Sequence, residues 1–394
     1  MICVGIDVSS QKHDVCILDE TGEVLVNPFQ IKNNFNEYKK LLDLLRTFKE
    51  KEANTIIRMG IESTGAYSET IAEFFRKIDW IDLIYINPIL TRMYNNGHKI
   101  HYAKTDKIDA KGIAEFISLK RNIEIFQSPN SEVRTARELY REILKLTSNL
   151  TALKNRLNSL IHRYFPEYFD IFSDIFCKSS LFILEKFKSL NQLSRKNPIK
   201  FREQINRIPS RKISVEKINK LIEVAKSSVG VTSSFNYHVF NCLVERIELL
   251  LNQKERLTKE AEKYVMKFWP NLMQIPGIGV LSALGIGSEY GDVNNFTTFD
   301  KFFAFTGLDP RVRQSGKLNK LHLMISRQGS HYLRNALFLA SKTVILFDPK
   351  FKEYYEKKIA EGKCYKVAMG HVCKKLCRVI YSLLKTKQDY RIIY

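Results

Sequence analysis

Ile2-Cys3-Val4-Gly5-Ile6-Asp7-Val8 is a strand-forming run with one carboxylate set inside it, and its reading governs the rest of the chain. A charge in a buried strand costs several kcal/mol unless it is paired, hydrogen-bonded or bound to a metal. Asp7 therefore demands a partner. Working outward, a Ser9-Ser10-Gln11-Lys12 turn leads to a second strand over 15–18, and a Thr21-Gly22 turn to a third over 24–26. A helix over 35–48 follows, because Tyr38, Leu41, Leu42, Leu45 and Phe48 recur at helical spacing. Then come a strand over 55–61, a helix over 67–77 and a strand over 81–86, ahead of Asn87-Pro88.

Three antiparallel strands followed by alternating helices and strands describe an α/β sheet of ribonuclease H-like type. Glu62 closes the fourth strand, where neighbouring strands can bring it to Asp7. After an irregular stretch, Lys104-Thr105-Asp106-Lys107-Ile108-Asp109-Ala110 opens a helix running to about residue 119. Residues three apart share a helix face, so Asp106 and Asp109 can reach the same ion. The plainer alternative is that Thr105 or Asp106 simply caps the helix. Joined to Asp7 and Glu62, the pair reads better as half of a metal-binding carboxylate set.

The 394 residues exceed what one core usually serves, and the expected division is 1–130, 131–267 and 268–394. Lysine and arginine outnumber aspartate and glutamate by 63 to 42, a formal charge of +21 that favours a polyanionic partner, nucleic acid first. No apolar run reaches the roughly 18 residues needed to span a bilayer. The chain opens on a strand rather than a signal peptide, so the expectation is a protein of the cell interior, at the nucleoid, with no membrane partner. Seven scattered cysteines without a CxxC pair argue for reduced thiols. Cys364, His371, Cys373 and Cys377 match no zinc spacing and are read as helix core.

From Leu139 the apolar positions step through Ile143, Leu146, Leu150, Leu153, Leu157 and Leu160, a sustained heptad. A second series runs Phe240, Leu243, Ile247, Leu250, Leu257, Ala261 and Tyr264, interrupted by Lys254. These helices pair either with each other, antiparallel, or each across a dimer. Between them, residues 187–220 carry ten lysines and arginines against two glutamates with little periodicity, which suggests a surface that tracks a phosphate backbone.

Further on, Ile275-Pro276-Gly277-Ile278-Gly279 is a tight glycine turn opening a helix, similar to a helix-hairpin-helix that holds DNA backbone through free amides at Gly277 and Gly279. A turn needed only for packing is the alternative. Residues 311–334 hold six basic residues and no acid: Arg311, Arg313, Lys317, Lys320, Arg327 and Arg334. Among them Ser315 precedes Gly316, and a hydroxyl ringed by cations that can hold a scissile phosphate suits a nucleophile. Arg311, Arg313, Lys317, Arg327 and Arg334 are accordingly candidate nucleic-acid contacts.

Gly5-Ile6-Asp7-Val8-Ser9, Gly60-Ile61-Glu62-Ser63-Thr64-Gly65, the Lys104 to Ala110 run, the Ile275 to Gly279 turn, and Gly307-Leu308-Asp309-Pro310 leading to Gln314-Ser315-Gly316-Lys317 together resemble the DEDD transposases of insertion-sequence family one-ten. The likeness spans about residues 1–165 and 268–345. It implies a RuvC-like domain binding Mg2+ through Asp7, Glu62, Asp106 and Asp109, a coiled coil, and a mostly helical C-terminal domain whose Ser315 attacks DNA. It further implies donor and target DNA, a bridge RNA as guide, and a dimer or tetramer in which the metal site and the serine meet across protomers. One departure stands out: relatives often carry paired serines and glycines at the nucleophile, whereas here Gln314 and Lys317 occupy those places.

Four acids suit two Mg2+ ions about 3.5 to 4 Å apart, since magnesium takes few protein carboxylates per ion. Two other readings remain open. A RuvC-like junction resolvase would use metal-activated water and leave Ser315 idle. A non-enzymatic nucleic-acid-binding protein would use the acids as caps and structural pairs.

Overall fold

The computed structural model describes residues 1–51, 55–62, 66–86, 91, 94, 106–119, 130–207, 213–231, 235–310, 314–315, 318–319 and 325–391. The chain divides into two compact units, Met1–Ser128 and Pro129–Tyr394.

In the first unit, β1 (Ile2–Val8), β2 (Lys12–Asp19), β3 (Val24–Lys32), β4 (Ile57–Glu62) and β5 (Ile81–Ile86) form one sheet in the order β3-β2-β1-β4-β5. The first three strands are antiparallel, and β4 and β5 run parallel to β1, as the meander followed by alternation predicted. Gly22 at φ 89° closes the β2–β3 turn, where the Asp19 carboxylate accepts hydrogen bonds from Thr21 and Glu23. Pro28 is tolerated because β3 is an edge strand with an irregular register.

Side chains alternate between two cores. Val4, Ile6, Val15, Ile17, Met59 and Ile61 pack with Tyr38, Leu41 and Leu45 of α1 (Phe35–Lys51) and with Ile71 and Phe75 of α2 (Ala66–Phe75). On the other face Cys3, Cys16, Leu18, Ile84 and Ile86 pack with Ala110, Ile113, Ala114 and Ile117 of α3 (Asp106–Leu119). The approach of α3 is close. A Cβ on Gly5 would stand 2.2 Å from the Ala110 carbonyl oxygen and 2.4 Å from the Ala114 nitrogen. Both obstacles are backbone, so Gly5→Ala should destabilise this unit by about 3 kcal/mol or more, the upper part of the range for overpacked cores. Hydrogen exchange at the β1 amides measures this; protection equal to wild type would contradict it.

The second unit is helical. α4 (Ser131–Tyr164) is capped by Asn130, whose side chain accepts from the Glu132 N–H, and is roughly 50 Å long at 1.5 Å per residue. After the short helices α5 (Lys178–Glu185), α6 (Leu190–Ser194), α7 (Pro198–Asn206) and α8 (Val215–Lys226), the chain returns along α9 (Tyr237–Phe268). The two heptad helices pair within one chain. Tyr140 and Ile143 share a core with Ala261 and Val265, while Leu150, Leu157 and Ile161 share one with Phe240, Val244 and Ile247, an antiparallel arrangement.

Residues 187–220 also contribute to a core: Phe187, Leu190, Leu193, Phe201, Ile205 and Ile218 are buried at the tip of the α4–α9 hairpin. Helices as short as α6 and α7 give too few turns for periodicity to register in sequence. Their basic residues can still face solvent, but as the outer side of a packed bundle.

The remaining elements are α10 (Val280–Tyr290), α11 (Phe299–Ala304), the two-residue strands β6 (Gln314–Ser315) and β7 (Leu318–Asn319), α12 (His331–Phe347), α13 (Pro349–Ala360) and α14 (Tyr365–Thr386). They pack on the base of the hairpin around Tyr290, whose ring stacks on Phe302 at 3.7 Å between centroids. Cys373 and Cys377 lie in this interior, as read from sequence, and burial pushes the Cys373 thiol up to about 11. Cys364 instead is exposed at the start of α14. Among the described residues, no helix is long and apolar enough to cross a membrane.

Candidate active site

β1 and β4 are parallel neighbours in the register Gly5↔Gly60 and Ile6↔Ile61, so Asp7 and Glu62 end adjacent strands side by side. Alternation fixes their direction. Gly5 and Gly60 both lie under α3, where a Cβ on Gly60 would meet Ile113 and Ile117 at 3.1 Å. Two residues further on, Asp7 and Glu62 project to that same face. Asp109 immediately precedes Ala110, whose carbonyl covers Gly5, and is partly exposed at the first turns of α3. Asp106 is the first residue of that helix, and its side chain lies outside the described set.

The fold thus places Asp7 and Glu62 at neighbouring strand ends on one sheet face, with Asp109 in the first turns of the helix that covers this face and Asp106 at that helix's start. Among the described residues, no group of three histidine, cysteine, aspartate or glutamate side chains is closed tightly enough to hold an ion.

Sequence reading missed Asp14. It pairs directly with Asp7 across β1 and β2, and with Gln30 across β2 and β3. A polar row Gln30, Asp14, Asp7, Glu62 therefore crosses the sheet beneath the start of α3. Asp14 is 4% exposed. The signal was available: a short turn at 9–11 fixes the hairpin register, which sets position 14 opposite position 7.

Ser315 lies in the second unit, at the end of β6, where it pairs with Leu318 across a two-residue connection; its side chain is outside the described set. Arg311, Arg313 and Lys317 are outside it as well. The base of this arm is firmly tied. Pro310 bridges Ile325, the Ser326 N–H donates to the Asp309 carbonyl at 2.8 Å, and Ser326 Oγ donates to Asp309 Oδ1 at 2.6 Å. The Arg327 N–H donates to the Gly307 carbonyl at 3.0 Å, leaving the exposed Arg327 at φ 57°.

Arg334 serves the scaffold. Its Nη1 donates to the carbonyls of Thr306 at 3.2 Å and Gly329 at 2.8 Å, and burial followed by the charge of Arg327 pushes its pKa below the ordinary arginine value. Beneath it, the buried Glu289 carboxylate accepts both Nε and Nη2 of Arg141 at 2.7 and 3.0 Å, and Ser330 Oγ at 2.8 Å. This knot joins α4, α10 and the N-cap of α12, fixing the helix from which the arm departs.

The glycine turn divides its roles. Gly277, at φ 92°, packs so tightly that a Cβ would stand 2.7 Å from the Thr343 carbonyl group of α12. Gly279 N-caps α10 with open space around it.

A family model of DEDD transposases of IS110 type, described as Transposase, matches residues 4–166. A second, described as Transposase IS116/IS110/IS902 family, matches 270–356. These stretches contain all four predicted acids and Ser315, respectively. Over 98% of its length the chain is 23% identical to a Streptomyces coelicolor protein named as a mini-circle transposase for IS117, covering 94% of that protein. It is likewise 23% identical, over 98% of its length and 91% of the relative, to the transposase for insertion sequence element IS1111A of Coxiella burnetii. An IS110 protein of 43.6 kDa from Streptomyces coelicolor is 28% identical over 31% of the chain. With both characteristic regions present in order and the likeness running end to end, the chain belongs to the IS110 family of insertion-sequence transposases, enzymes that cleave and join DNA strands.

Proposed function

We propose that this transposase cuts and rejoins donor and target DNA with a RuvC-like carboxylate site and a serine nucleophile, Ser315, under the direction of a guide RNA. The observation that carries the reading is the placement of Asp7 and Glu62 on adjacent strand ends beneath the helix that begins with Asp106 and bears Asp109. The donors are all hard oxygens, and the buried Asp14 beside them has an oxygen without a hydrogen-bond partner among the described residues. That chemistry fits Mg2+, with two ions for four acids. What the metal supplies when bound is Lewis-acid polarisation of the scissile phosphate.

The chain's own residues do the rest. In this reading Asp7, Glu62, Asp106 and Asp109 would hold the metal, and Ser315, at the end of β6, supplies the nucleophile. Attack by Ser315 Oγ on phosphorus breaks the bond to the leaving DNA oxygen and keeps the strand as a phosphoserine ester. A second strand's hydroxyl then displaces the serine, so rejoining needs no ATP. Arg311, Arg313, Lys317 and Arg327 neutralise phosphates, and the helix N-terminus at Gly279, with open space beside it, offers a further backbone contact. Arg334 and Gly277 act through packing.

Guide pairing would supply the target sequence, leaving the protein to recognise backbone and helix shape. As the resemblance to the family implies, the working form is a dimer or tetramer that shares its sites between protomers. A metal-dependent resolvase that uses water is the competing reading. Sequencing the RNA that copurifies with the protein tests guidance: enrichment of one RNA matching DNA beside the gene is expected, and a random cellular sample would overturn it.

A further inference from the structure

The polar row across the sheet contains a carboxylate that neither the motif nor the packing accounts for. Asp14 stands opposite Asp7, where directly paired Cβ atoms are about 4.5 to 5.5 Å apart. Its neighbour two positions on, Cys16, packs with Ala110 and Ala114, so Asp14 projects to the α3 face shared by Asp7, Glu62 and Asp109. It is 4% exposed, Oδ2 accepts a long 3.3 Å hydrogen bond from Gln30 Nε2, and Oδ1 has no hydrogen-bond partner among the described residues.

An acid placed this way beside another acid is costly. A cation gives Oδ1 a partner and offsets the repulsion from Asp7. Hard divalent cations prefer such oxygens.

We infer that Asp14 supplies a further oxygen ligand to a divalent cation held beside Asp7 and Glu62, with Gln30 orienting its second oxygen. This rests on the metal reading proposed above and extends its ligand set by one residue. Asp14 therefore trades metal-free stability for metal affinity: without a cation it strains the sheet, and with one it tightens the site.

The test compares the full-length wild type with Asp14→Asn and Asp7→Asn, using Mn2+ as the probe. Mn2+ affinity is measured by electron paramagnetic resonance of the free ion, and thermal unfolding is followed with and without Mn2+. Asp14→Asn is expected to weaken Mn2+ binding by about 10-fold or more, the scale of metal-supporting groups. Its metal-free Tm should equal or exceed that of wild type, because repulsion from Asp7 is relieved, while its metal-induced rise in Tm shrinks. A merely structural Asp14 would give the opposite pair, a lower metal-free Tm with unchanged Mn2+ affinity, and would overturn the inference. If Asp14→Asn does not fold, Asp14→Ser is read by the same criteria. Wild-type binding lost in Asp7→Asn but intact in Asp14→Asn would overturn the role of Asp14 alone. No Mn2+ binding by wild type would remove the metal reading and this inference with it.

Discussion

Asp7→Asn should slow DNA strand cleavage by about 10³-fold or more, the size of effect expected when a metal-borne charge contribution of several kcal/mol is lost. The substitution keeps volume and polarity at the end of β1, so the sheet, whose register there is set by β2 and β4, should be unchanged. DNA affinity should also persist, because it rests on the excess of basic residues and not on the acids. Single-turnover cleavage of a labelled donor, measured beside filter binding of the same DNA, separates the two. A loss of less than tenfold would remove Asp7 from the chemistry, and parallel loss of binding would mean that the fold had changed.

The second large effect is at the other end of the chain. Ser315→Ala should abolish strand joining, with a fall of about 10⁴-fold or more, as when a nucleophile is deleted from an enzyme whose groups act as a unit. The base of the hairpin that carries Ser315 is anchored through Asp309, Ser326 and Gly307, so Ser315→Ala should leave the domain's stability intact. The informative readout is the product set. Undiminished cleavage with hydrolysed ends would assign the attack to water and favour the resolvase reading.

Much of the first unit was legible because the two periodicities of buried strands and amphipathic helices are strong there. The alternation in 2–8 and 12–19 separates one core from the other, and it sends Asp7 to the α3 face together with Gly5. Asp14 was not legible in the same way, since its meaning depends on cross-strand register and not on its own neighbours. The heptads of α4 and α9 declared long helices, yet only the shared cores show that they pair within one chain. The packing within 187–220 was not legible because charge dominates their composition, while the few apolar side chains per short helix that build the core are easily overlooked. Arg334 looked like a phosphate contact by its company. What fixes it is a pair of backbone carbonyls, at 306 and 329, that no local pattern announces. Gly277 and Gly279 read identically in the sequence, and only their surroundings, a packed helix for one and open space for the other, tell them apart.

The account turns on carboxylates of the first unit and a serine of the second acting on one phosphate. Its most direct test is to incubate the protein, its copurified RNA and labelled donor DNA with Mg2+, denature, digest, and locate any DNA-linked peptide by mass spectrometry. The account predicts a phosphodiester adduct on Ser315 that forms only with Mg2+ and is lost in both Ser315→Ala and Asp7→Asn. Cleaved DNA without an adduct, or an adduct on another residue that persists in Asp7→Asn, would contradict it.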